Sequence, residues 1–317
     1  MGEEFRRYAA LARAAGGRAL TGVAPDAGAD RDRAALLGVT PALLLLGDGR
    51  GRDEDLAPGL RLLALAARGP RDEPVLLADG SGHRRDVYYP FVLRLYLRAF
   101  AARYEAMPQS AWSACEDAIP AAVDPVRAVE RYADTPPPPP LVALTLWQAV
   151  AIGEQAALLG RDVDTEMIDG VVHHALQAGG AGGGVGSVGR PLHPHADNES
   201  LDAWTYRELS GLHALAAAAV LRRNQAWARR VEEVAMYHLE HTQPDYTTTQ
   251  PWGLFAFAWS IATRPFADQQ LLDAESVVAT AGRGPEVAQA LPMVGMLLAD
   301  AADALGRLGW TRHGGAP

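Results

Sequence analysis

Apolar residues recur at spacings of three and four over 5–14, 34–45, 56–67, 87–106, 110–132, 141–159, 165–177, 201–223, 225–241, 253–262, 267–280 and 285–307. That is the period of helices that turn one face inward, and it predicts about twelve helices and an all-α fold. Breakers separate the segments: Met107-Pro108, the run Pro136 to Pro140, Gly160, the glycine run from 179, Gln243-Pro244-Asp245, Gln250-Pro251, Arg264-Pro265 and Gly282-Arg283-Gly284-Pro285. Asp164 or Thr165 is suited to cap the seventh segment and Asn198 or Ser200 the eighth, with Asp202 in its first turn. The proline run reads as a stiff entry to the helix that follows, with Pro140 in its first turn.

In an up-and-down array of helices, alternate connections lie at the same end. The connections near 70–86, 133–140, 178–200, 242–252 and 281–284 then share one end, and those near 108, 160–164, 224 and 263–266 share the other. The first set is long and irregular. Long loops in a compact domain commonly carry a binding or catalytic surface, so the chemistry is expected at that end of one helical domain spanning 1–317.

Composition supports the helical reading. Alanine, leucine and arginine are abundant and isoleucine occurs four times. With 317 residues and 49% of them apolar, the chain can bury a sizeable core without disulfides. Cys115 is the single cysteine, which rules out multi-cysteine metal and redox motifs; a helical pattern and the nearby Trp112 make it a packing residue. The chain has no lysine, so all 29 basic residues are arginines; Schiff-base chemistry and the P-loop lysine are excluded. A net charge of −9 without a basic block argues against nucleic-acid binding. No export signal or lipid anchor is expected from the first residues. The apolar runs, such as 43–46 and 214–220, fall short of the roughly 20 residues that span a bilayer. A cytoplasmic protein without a membrane partner is therefore expected.

Seven of the nine histidines, His173, His174, His193, His195, His213, His238 and His241, crowd between 173 and 241. Histidine titrates near neutrality and serves as acid, base or ligand, so this clustering marks the junction of 190–208 with 237–252 as the candidate site. On the helix after the first loop, Trp204, Glu208, Gly211 and Leu215 share a face. A carboxylate among apolar neighbours is expected to have a raised pKa and to act as an acid. Tyr206, Ser210 and His213 form a second stripe, expected to face solvent or to bond between helices. Glu208, His241, Asp197 and Tyr206 are the candidate catalytic residues, and Trp204, Arg207, Asn198, Trp252, Asp245 and Gln250 the candidate binding residues.

No cofactor or metal is assigned. His193, His195, His238 and His241 could form a four-nitrogen site, with Asp197 or Asp245 as an alternative ligand, but their spacing matches no metalloenzyme signature. Gly184-Val-Gly-Ser-Val-Gly189 matches G-x-G-x-x-G in letters only, because a helix precedes it and Arg190-Pro-Leu-His-Pro follows. A lid or linker suits it better.

The helical hairpins with one-sided loops resemble the α/α toroids, which include terpenoid cyclases, protein prenyltransferases, six-hairpin glycosidases and polysaccharide lyases. The acidic motifs of the cyclases are absent, Asp162-Val-Asp164-Thr being the nearest approach, and so is the repeated Q-W motif. The glycosidases and lyases fit the residue types better: carboxylates with tryptophan platforms, or His, Tyr, Arg and Asn groups in a funnel. That resemblance implies an intracellular carbohydrate-active hydrolase or lyase with a site at the 190–208/237–252 junction, its saccharide stacking on Trp204 or Trp252. The alternative is a non-enzymatic helical scaffold that holds a protein or peptide partner on the same loops, with arginine and tryptophan as anchors.

Overall fold

The computed structural model describes residues 3–21, 38–68, 85–160, 165–178, 190–195, 199–242, 250–280 and 285–307. Among them the chain is helical and contains no strand. The helices are α1 (Glu3–Thr21), α2 (38–45), α3 (Leu56–Arg68), α4 (Arg85–Arg103), α5 (Gln109–Val123), α6 (Val142–Leu159), α7 (Thr165–Leu176), α8 (Leu201–Arg222), α9 (Gln225–His241), α10 (Leu254–Phe257), α11 (Arg264–Thr280) and α12 (Pro285–Arg307).

Two expected helices come out shorter, for local reasons. The segment at 110–132 is α up to Val123 and then 3-10 from Asp124 to Tyr132. Pro120 and Pro125 each remove a backbone donor, and the second coincides with the change of pitch. The segment at 253–262 reduces to the single turn of α10, because Thr263 Oγ1 donates to the carbonyl oxygens of Phe257 at 2.8 Å and Ser260 at 3.3 Å and draws the chain into turns. Before α6, the 3-10 turn Pro139–Leu141 forms the expected proline-built entry.

The helices fall into two kinds. From Val142 to Ala156 of α6, only Leu144 and Gln148 escape burial, and from Trp204 to Ala219 of α8 only Arg207 does. By contrast, α9 buries Trp227, Val231, Val234, Ala235 and His238 and leaves its other face to solvent. Helices apolar all round occupy the interior, and amphipathic ones cover them. Accordingly α4, α6 and α8 lie side by side, α10 touches α8 and α12, and α3, α5, α7, α9 and α11 pack against them. Small residues set the closest approaches. A Cβ on Gly153 of α6 would stand 2.5 Å from Leu221 Cδ2 of α8, so a larger residue there would displace the leucine side chain. The buried apolar residues form one contiguous cluster from Tyr8 to Leu305.

Candidate functional site

Of the expected junction, the described residues show residues 190–195 and Glu208 of α8 meeting His238 of α9. Residues 190–195 form no regular structure, and their amides need partners. Glu208 supplies them. One carboxylate oxygen accepts from Leu192 N at 2.6 Å and His238 Nε2 at 3.0 Å, and the other from His193 N and His193 Nδ1, both at 2.7 Å. Glu208 is wholly buried. Burial pushes its carboxyl upward, but hydrogen bonds and charge interactions with His193 and His238 outweigh that and hold it down at about 2. The raised pKa expected for Glu208 is therefore corrected: four donors converge on an ionised group that has no proton to give at neutral pH.

An ionised carboxylate only accepts, so His193 must carry its proton on Nδ1 and His238 on Nε2. His238 Nδ1 lies 2.7 Å from Thr242 Oγ1, within hydrogen-bond distance. Trp204 Nε1 donates to the His193 carbonyl at 3.0 Å, so the same loop residue is held from three sides. Both nitrogens of His238 and one of His193 are committed, so these rings do not converge on a shared point. Among the described residues no group of three His, Cys, Asp or Glu side chains is placed to hold a metal, which removes the four-nitrogen arrangement as drawn from the sequence.

The other candidates divide by depth. Trp252 has no exposed surface and Trp204 is 4% exposed; neither presents an open ring face, and stacking on either would require neighbours to move. Trp252 Nε1 and the Tyr88 hydroxyl both donate to Gln250 Oε1, at 2.9 and 3.2 Å. The Trp252 ring lies against Phe91, Tyr206, Trp147 and Tyr88, with centroids 5.2 to 6.1 Å apart. The stripe Tyr206, Ser210 and His213 is buried throughout, an interhelical arrangement rather than a solvent face. Arg207 pairs with Glu199 at 2.5 Å near the surface. His241 is exposed beside Tyr237. Asp197, Asn198 and Asp245 lie outside the described residues.

A second polar system was not foreseen. Arg94 of α4, in the middle of Phe91-Val-Leu-Arg-Leu-Tyr-Leu97, is fully buried; it is paired with Asp300 of α12, and its Nε stands 3.3 Å from Glu154 of α6. The second Asp300 oxygen meets His213 Nε2 of α8 at 2.9 Å. Burial pushes the Asp300 carboxyl up, but Arg94 and His213 hold it well below the carboxylate range. Nearer the surface, Arg98 and Arg307 both pair with Asp303 and approach Glu154. The signal was in the sequence as single charges inside apolar runs: Arg94, Glu154 in Ala151-Ile-Gly-Glu-Gln, and Asp300 in Leu297-Leu-Ala-Asp-Ala. A lone charge that cannot turn to water needs a partner from another helix.

This network opens onto a cavity of about 650 Å³. It is walled by the carboxyl-terminal parts of α4, α6, α8 and α12, by Trp259 after α10 and by the start of α9. It lies at the end of the short connections, near 160 and 224, and not at the end with the long loops. Neither the sequence nor the fold of this chain matches a known protein family, a curated protein or a solved structure.

Proposed function

We propose that the even-numbered helices form the inner wall of a closed α/α ring, a toroid, and that the protein holds a small organic molecule in the cavity at their carboxyl-terminal ends. The observation that carries this reading is the floor of the cavity. Glu154 lines it, is 4% exposed, and is held in place by the buried Arg94. The volume suits a ligand of drug-like size, and the lining offers such a molecule both fixed polar groups around Glu154 and an apolar wall of Val220, Leu221 and Trp259. Filling the cavity by Ala228→Trp tests the reading. Small molecules from a chemically diverse library should raise the melting temperature of the native chain and leave that of the filled variant unchanged; equal shifts in both would place binding elsewhere.

A second reading, a carbohydrate-active hydrolase or lyase at the opposite end, is favoured by the polar groups on the elements that the Glu208 hub ties together. His195 and His241 are exposed and the Arg207–Glu199 pair is part-buried, on a loop and helices that four hydrogen bonds to Glu208 hold in place. A glycan array and a reducing-sugar screen decide it. Release of sugar by the native chain, lost in His241→Ala and Glu199→Gln, supports it; no binding and no release ends it.

A further inference from the structure

Resting on the cavity reading, we infer that the bound molecule is an organic anion with an apolar body and a hydrogen-bond donor at the end that reaches Glu154. Four arginines line the cavity, Arg98, Arg223, Arg229 and Arg307, against two carboxylates, Glu154 and Glu232. Arg98 and Arg307 are partly neutralised by Asp303 and Glu154. Arg223 and Arg229 are exposed and have no carboxylate partner among the described residues.

The carbonyl ends of α6, α8 and α12 face this side, and arginine in a last turn is ordinary helix-end chemistry, which accounts for Arg307. It does not account for Arg229, which lies near the amino-terminal end of α9, a helix with no acid in its first turn. There a cation adds to the positive end of the dipole and an anion is favoured. The guanidinium of Arg307 is held below its ordinary value, by burial and by the charges of Arg94 and Arg98, although Asp303 and Glu154 pull the other way. Arginine forks match carboxylate and phosphate oxygens in pairs.

The remaining features describe the rest of the ligand. Trp259, Val220 and Leu221 give an apolar wall. Glu154 Oε1 is buried against Arg94 Nε at 3.3 Å, whereas Oε2 stands 3.8 Å from Arg98, so a ligand hydroxyl or ammonium group would be taken by that second oxygen.

The test uses the full chain and isothermal titration with biphenyl-4-carboxylate, its neutral primary amide, biphenyl-4-yl phosphate, and a biphenyl carboxylate bearing a hydroxyl or a methoxyl at the far ring. The carboxylate or the phosphate should bind at least tenfold more tightly than the amide; which of the two wins identifies the anion. Arg223→Gln with Arg229→Gln should remove that preference while leaving the melting temperature unchanged. The hydroxyl compound should bind more tightly than the methoxyl one in the native chain and no more tightly in Glu154→Gln. Equal binding of amide and anions, or a preference that survives the arginine changes, overturns the inference and leaves the cavity reading standing. If no probe binds and the library screen against the Ala228→Trp variant is also blank, both fall.

Discussion

The His193 imidazole and the Glu208 carboxylate meet at 2.7 Å with neither side chain more than 1% exposed. Because each carboxylate oxygen takes two donors, Glu208→Gln sets an amide N–H₂ against two of them. Removing one partner from a buried charged cluster costs about 3–5 kcal/mol. The urea midpoint of Glu208→Gln should fall accordingly with the slope m unchanged; a midpoint within error of the native chain would show that the hub does not hold the loop.

The same group sets an acid-side dependence of stability. Its native carboxyl lies at about 2 against an ordinary value of 4.5. Between those values the unfolded chain binds the proton and the native one does not, so stability rises with pH across that window. The contribution is fully present above about 4.5 and is lost as pH falls through 2; it is on the order of 3 kcal/mol. Asp300, also depressed, adds in the same direction at still lower pH. Denaturation curves between pH 2 and 5 should therefore be steeper for the native chain than for Glu208→Gln, and parallel curves would contradict the assignment.

Gly211 faces the hub from below. A Cβ there would stand 2.8 Å from His193 Cε1 and 3.4 Å from Ala143 Cβ. Gly211→Ala gains helix propensity yet must push the imidazole off its carboxylate or separate α6 from α8, and overpacking of this kind costs about 1–3 kcal/mol. Calorimetry should show a lower melting temperature for this variant, where an exposed helical glycine would show a higher one.

At the buried ionic floor, Arg94→Met leaves Asp300 and Glu154 without their cation. The loss should be about 3–5 kcal/mol. Adding Asp300→Asn to that variant removes one orphaned charge and should recover part of it, a coupling that a double-mutant cycle measures directly. Additive effects of the two changes would mean that the pair does not interact.

The helices were legible because their apolar periodicity is long and their breakers sharp; α6, α8, α9 and α12 begin and end within one or two residues of the pattern. What the pattern could not show is which charge faces which helix. Glu208 was placed correctly among apolar neighbours, but the donors that reverse its pKa come from residues 15 and 30 positions away. The cavity escaped for a related reason. Loop length directed attention to the end where the chain is irregular, whereas the cavity is made by the ends of regular helices joined by short turns such as Asn224, whose side chain accepts from the amides of Ala226 and Trp227 at 3.0 and 3.2 Å.

The Arg94–Asp300 pair also bears on how the protein is made. Its partners are 206 residues apart, and a ribosome adding about 5–20 residues per second needs roughly 10–40 s to deliver the second after the first. Throughout that interval α4 carries a guanidinium on an otherwise oily surface with no Asp300 to receive it, and His213 emerges to find the same place empty. In that interval Glu154 is the carboxylate available to Arg94, and the network is completed when Asp300 arrives on α12. Substitutions that delay the docking of α12 should show as aggregation in the cell before they show as instability in the purified protein.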